Sequence, residues 1–131
     1  MRRLFVSLDP DVLVATGDVE AVCKVVQDHF KIERFARSVN LSTDKSNLRI
    51  QLQTHRRYQD FIIRAKAHTV LGYRMKVACV EDVFQGKVWA YSDKERRKSK
   101  RQKDLADIVR LVEPDPFLAD RLPEAIRKRI D

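Results

Sequence analysis

The sequence predicts an α/β (or α+β) fold, with a small mixed β-sheet in the first part of the chain and a helical C-terminal half from about Val80. Three stretches carry this expectation. Leu48 to Thr54 alternates cleanly, with Leu48, Ile50 and Leu52 on one side and Arg49, Gln51 and Gln53 on the other, the period of a half-buried strand. Val19, Val22, Cys23, Val26 and Phe30 recur at helical spacing behind the turn signal Thr16-Gly17-Asp18. From Glu81 to Glu113 the pattern is that of two amphipathic helices joined by a strongly basic connector.

In the first helix of that pair, Val80, Val83, Phe84, Val88 and Tyr91 fall on one face, and Glu81 and Asp82 stand in the first turn, where the helix dipole favours negative charge. In the second, Ser99 and Gln102 have the spacing of a capping box, and Leu105, Ile108, Val109 and Val112 form an apolar stripe that Pro114 and Pro116 terminate. Between the stripes, the run from Lys94 to Lys103 holds seven Lys or Arg against one Glu. So many cations repel one another and are relieved by counter-charge. A helix starting at Ser99 would add free backbone N–H groups beside them, so Arg96, Arg97, Lys98 and Lys100 are expected to contact phosphates. A solvated loop is the alternative.

The remaining elements follow in chain order. Leu4 to Ala15 is apolar and β-branched at both ends with an acidic interruption, and Pro10 confines it to an edge strand or to two short strands meeting at a turn. Asp9 and Asp11 share one side of an extended chain, an arrangement able to bind a divalent cation, with an Asp-Pro turn as the competing reading. The helix from Asp18 to Phe30 is expected to pack on the sheet. Lys31 to Ser42 reads as one or two strands, and Asp44-Lys45-Ser46-Asn47 as a polar turn. Phe61 to Ala67 reads as a short helix after the basic stretch His55 to Asp60, and His68 to Leu71 and Arg74 to Val80 as strands around Gly72-Tyr73. Asp115 to Asp120 is a helical turn, and Pro123 opens a terminal helix with Ala125, Ile126 and Ile130 on its apolar side.

A chain of 131 residues is expected to form a single domain, sheet-rich over 1–79 and helical over 80–131. Its net charge of +8 favours phosphate-rich partners. Cys23 and Cys79 are flanked by apolar residues and read as buried free thiols. There is no CxxC, the three His are scattered, no apolar run reaches the ~18 residues of a membrane span, and no signal-peptide core is present. A reducing cytoplasm and no membrane contact are therefore expected.

Two separated segments resemble one family. Ser7 to Val14, SLDPDVLV, resembles the T-x-D-x-D-hydrophobic strand of nucleotidyltransferases of the polymerase-β type. Gln85 to Ile108 is similar to the K-x-x-A…R…K/R-D-x-x-D-L helix pair of minimal nucleotidyltransferases like the AbiEii abortive-infection toxins. The resemblance implies a small mixed sheet of nucleotidyltransferase type with a helical C-terminal half. It implies Asp9 and Asp11 as ligands of Mg²⁺, Lys87 and Lys103 as basic residues near the triphosphate, and Asp104 and Asp107 as the acidic positions of the motif. Asp104 and Asp107 share a helix face at this spacing, so pairing with Lys100, Lys103 or Arg110 is the competing reading.

Relatives of that type carry a G-S motif ahead of the D-x-D strand, and this sequence begins eight residues before Asp9. They also place a third carboxylate on a neighbouring strand, where Leu48 to Thr54 offers Arg49, Gln51 and Gln53. A shortened or degenerate member, or one whose true start lies upstream, is therefore expected, with no catalytic residue assigned. The implied activity is Mg²⁺-dependent transfer of NMP from an NTP to an RNA or protein acceptor. The alternative is a non-catalytic module that binds a nucleotide, a nucleic acid or a partner protein.

Overall fold

The computed structural model describes residues 11–13, 16–70 and 72–131. Asp9 and Pro10 lie outside the described residues, and of Asp11 the backbone is described. The chain divides into two compact units, Met1–Ala65 and Lys66–Asp131. The division falls before the last two strands rather than at the start of the helical half, so that strand pair belongs with the helices.

The first unit contains β1 (Asp11–Leu13), α1 (Val19–Val26), β2 (Lys31–Arg34), β3 (Ser38–Ser42), β4 (Arg49–Gln53) and α2 (Gln59–Arg64), with 3₁₀ turns at Thr16–Asp18 and Arg56–Tyr58. The sheet has the order β1-β4-β3-β2, with β1 parallel to β4 and the other pairs antiparallel, the mixed sheet expected from the sequence. Its register sets Val39 opposite Leu52 and Leu41 opposite both Ile50 and Ile32. These apolar cross-strand pairs form one face of the sheet. Cys23 of α1 is buried with Val39, Leu41 and Leu52, and Val19, Val22, Val26, Phe30, Ile32 and Ile50 pack around them. Each fully buried aliphatic side chain contributes about 1.5–3 kcal/mol.

The helix α1 stops earlier than its apolar spacing suggests. The amides of His29 and Phe30 both donate to the carbonyl of Val26, at 3.0 and 2.9 Å, and turn the chain out of the helix. Phe30 still joins the core, because a turn after the last helical residue delivers it to the same side. Lys31 to Ser42 resolves into two strands, the turn between them closed by Phe35 N–H donating to Ser38 O at 2.9 Å. On the outside, Arg34 grips Glu20 through both guanidinium nitrogens, at 2.6 and 3.2 Å, linking β2 to α1. The helix α2 ends at Arg64, where Ala65 turns extended. Phe61 is its buried residue, and Tyr58 meets it edge-on at 5.4 Å.

In the second unit, β5 (Lys66–Val70) and β6 (Tyr73–Val77) form an antiparallel hairpin. Gly72 takes a φ of +83° in the connection, a conformation that side chains with a Cβ disfavour. Then follow α3 (Val80–Ser92), α4 (Lys98–Val112), α5 (Pro116–Ala119) and α6 (Glu124–Ile130). Val80 opens α3 instead of closing a strand. Phe84, Val88 and Tyr91 from α3, Ile108 and Val112 from α4, Leu118 and Ile126 form the core. Val80 and Val83, placed on the apolar face by their spacing, are 42% and 39% exposed and lie at its edge. Asp115 caps α5, its Oδ1 accepting from Phe117 N–H and Leu118 N–H at 3.1 and 3.3 Å, with Pro116 at the first helical position. Pro123 is the N-cap of α6 rather than its first helical residue, and Arg127 ties α6 to α5 by donating to Ala119 O at 3.1 Å.

Ile108 is 0% exposed, so Ile108→Ala should lower the unfolding free energy by about 2–5 kcal/mol in urea titrations followed by circular dichroism. Ile63→Ala, at a site 81% exposed, should change it by less than about 0.5 kcal/mol.

A second expectation concerns His55. Its Nδ1 accepts from Arg57 N–H at 3.0 Å and caps the Arg56–Tyr58 turn. Burial, then the charges of Arg57 and Arg37, hold the imidazole below its usual value of 6.5. The folded chain thus binds fewer protons than the unfolded one, and stability should fall as the pH drops below about 6.5. Proton NMR should place the His55 titration below that of an unstructured histidine, and His55→Asn, which keeps an acceptor, should weaken the pH dependence of stability.

Candidate functional site

The sequence points to two sets of residues, and each lies in its own unit. In the second unit the site is built on α3 and α4. The basic run at residues 94–103 is mostly helix: a short turn covers 93–97, and α4 begins at Lys98. Glu95 N–H donates to Asp93 Oδ1 at 3.0 Å, and Arg96 N–H to Asp93 O at 3.2 Å, which makes the turn tight. Ser99 is therefore inside the first turn of α4, and the capping box does not form. The N-cap is Arg97, which supplies no side-chain acceptor, and the first turn carries no acidic residue. The N–H groups at this helix start therefore have neither a side-chain cap nor an acidic residue in their own turn.

Asp104 decides how the cations are divided. It lies one turn ahead of Ile108 on the inward face of α4 and is 1% exposed. A carboxylate so buried requires charged partners. Arg96 supplies two contacts from the turn, Nε to Oδ2 at 2.7 Å and an outer nitrogen to Oδ1 at 3.4 Å. Lys87 adds a third from α3, its Nζ 3.7 Å from Oδ1. The same Nζ is 2.9 Å from Oδ2 of Asp107, whose other oxygen is 3.6 Å from Arg110.

Of the candidate phosphate-binding residues, Lys87 and Arg96 are thus committed to Asp104 and Asp107. Of the partners weighed from helix spacing, Arg110 does pair with Asp107, while Asp104 reaches across to Lys87 and Arg96. Arg101 is also turned inward, donating from Nε to Tyr91 O at 2.8 Å with its guanidinium 5.0 Å over the Tyr91 ring. Lys94, Arg97, Lys98, Lys100 and Lys103 are exposed. They form a cationic edge on the turn and the start of α4.

Among the described residues two acids are buried, Asp82 and Asp104. Asp104 stands three and four residues before Asp107 and Ile108, so its place in the inward stripe was available from the spacing, although its partners were not. Asp82 is 6% exposed in the first turn of α3 and accepts from the Cys79 thiol, Sγ to Oδ2 at 3.1 Å. Burial, then that hydrogen bond, raises the Cys79 thiol above its usual value, so it is a poor thiolate.

In the first unit, the candidate metal residues Asp9 and Asp11 belong to the stretch around β1. Asp11 is in register with Gln51 and Leu13 with Gln53 across the parallel pair. The polar row of β4 is therefore next to β1, where the family resemblance implies a third carboxylate, and it consists of Arg49, Gln51 and Gln53. Among the described residues, no group of three or more His, Cys, Asp or Glu is placed to hold a metal. Mg²⁺ needs fewer from the protein, since it is commonly held by one or two carboxylates with phosphates and water completing its shell. By residue type Asp9, Asp11, Gln51 and Gln53 carry oxygen donors, the class of ligand that Mg²⁺ takes.

Asp104→Asn should cost about 1–3 kcal/mol, because Arg96 and Lys87 lose the charge they share while remaining partly solvated. A double-mutant cycle with Arg96→Gln should show coupling above about 0.5 kcal/mol, and Arg97→Ala or Lys100→Ala should change stability by less than about 0.5 kcal/mol each.

No helix among the described residues is long and apolar enough to cross a membrane. A search of the curated proteins finds no match. A family model described as nucleotidyl transferase AbiEii toxin, type IV TA system, matches residues 18–131. That span begins beyond Asp11 and takes in Lys87, the basic turn, Lys103, Asp104 and Asp107. The helix pair with its buried acids and basic edge lies wholly within the match, and the chain belongs to the AbiEii nucleotidyltransferase toxin family.

Proposed function

We propose that this chain binds the phosphates of a nucleoside triphosphate and, with Mg²⁺, transfers the NMP group to a hydroxyl of an RNA or protein acceptor. The observation that carries this reading is the sorting of cations on α3 and α4. Lys87, Arg96 and Arg101 are held inward, while Arg97, Lys98, Lys100 and Lys103 project beside an uncapped helix start with free N–H groups. Such a surface suits phosphate oxygens, since both the side chains and the helix dipole favour negative charge. Asp104 and Asp107 act by positioning, because they fix Lys87 and Arg96 and with them the turn that presents the outer cations.

Asp9 and Asp11 are the residues assigned to Mg²⁺, which when bound would neutralise phosphate charge during an in-line displacement. The chain's own part is to align the triphosphate. A second reading, a non-catalytic binding module on the same fold, is favoured by β4, whose Arg49, Gln51 and Gln53 leave no carboxylate to take the proton of an acceptor hydroxyl.

Incubation with α-³²P-labelled NTPs, Mg²⁺ and total RNA separates the two. Labelling of RNA or protein that Asp9→Ala and Asp11→Ala abolish supports transfer. NTP binding without labelling selects the non-catalytic module, and absence of NTP binding at low salt removes the transfer reading and leaves that module only as a binder of nucleic acid or of a partner protein. The quadruple variant Arg97→Ala, Lys98→Ala, Lys100→Ala, Lys103→Ala should weaken NTP binding by about tenfold or more, equal to about 1.4 kcal/mol, with stability nearly unchanged. If RNA is the acceptor, the same variant should flatten the fall of log K with log salt by about 0.7–0.9 for each phosphate that is no longer neutralised.

A further inference from the structure

The hairpin of β5 and β6 is exposed on both faces, and it constitutes the whole of its sheet among the described residues. A two-stranded hairpin is marginally stable in water unless something packs on it. Its register pairs Val70 with Tyr73, His68 with Met75 and Lys66 with Val77, and residues directly opposite each other point to the same side. One face therefore carries the row Tyr73, Met75 and Val77, which are 74%, 50% and 38% exposed. Arg74 and Lys76 stand on the other face, opposite Thr69 and Ala67. The two strands contain Lys66, His68, Arg74 and Lys76 and no Asp or Glu.

The geometry points to the β5–β6 hairpin as the docking surface for an acidic polypeptide that runs as an extended strand along the edge of β6, which has no partner strand there among the described residues, with apolar side chains beside the Tyr73, Met75 and Val77 row and alternate Asp or Glu beside Arg74 and Lys76 on the opposite face. Charge decides against a second copy of the chain, because its hairpin would bring the same cations, in a molecule already at +8. A nucleic acid would meet the cations through phosphates and leave Met75 and Val77 in water. An acidic segment with interleaved apolar residues answers both faces of the demand, burying the row and neutralising its surroundings.

The test replaces Tyr73 in the full chain by the photocrosslinker p-benzoylphenylalanine and irradiates cells of its own host, with mass spectrometry of the adduct. The expected product is an adduct to a polypeptide whose crosslinked segment mixes Asp or Glu with apolar residues. That segment, made as a synthetic peptide, should bind the parent chain more weakly as salt rises. Met75→Ser with Val77→Thr should weaken it by about tenfold or more, and so, independently, should Arg74→Glu with Lys76→Glu, which leaves the apolar row in place. An adduct to RNA, to a second copy of the chain or to a segment without acidic residues would overturn the proposal. So would the lack of any adduct, or peptide binding that both double variants leave unchanged.

Discussion

The burial of Asp104 is the constraint on which the second unit depends. A carboxylate 1% exposed within an apolar stripe is tolerable only where its charge is answered at close range, and the answers come from two different segments. Arg96 reaches in from the turn and Lys87 from α3, so one side chain fixes the approach of α3 to α4 and the path of the chain between them. Apolar packing of Phe84, Val88 and Tyr91 against Ile108 and Val112 supplies most of the energy. The ion network adds register, because hydrophobic contact alone is non-directional and would permit sliding.

That network gives the basic run two distinct functions. Cations that point inward have their charge cancelled by Asp104 and Asp107 or, for Arg101, are held by a backbone carbonyl and an aromatic face. Those that point outward sit on a rigid base. A rigid cationic edge loses less entropy on meeting phosphate than a flexible basic loop does, which links the packing of the helix pair to the proposed binding.

In the first unit, the comparable decision is the parallel pairing of β1 with β4. It seats the segment that carries Asp11 beside a polar row of two amides and an arginine. The neighbouring strand thereby supplies neutral and cationic groups where a fully acidic site would have a third carboxylate, and this contrast defines the two functional readings.

Much of the architecture follows from the sequence alone. The alternation of Leu48, Ile50 and Leu52, the helical spacing from Val19 to Val26 and the paired stripes of α3 and α4 fixed the kind and order of elements, because burial of one face imposes its period locally. The resemblance in Lys87 and in the K-D-x-x-D pattern at residues 103–107 indicated the family. Tertiary structure decided the rest. The pairing of Arg96 with Asp104 spans eight residues and a turn, and that of Lys87 with Asp107 joins two helices, so neither is encoded in any local period. The inward turn of Arg101 is likewise set across helices, by the carbonyl and ring of Tyr91 on α3. Composition determined that the chain is basic; only the fold decided which of its cations are paired inward and which stay exposed.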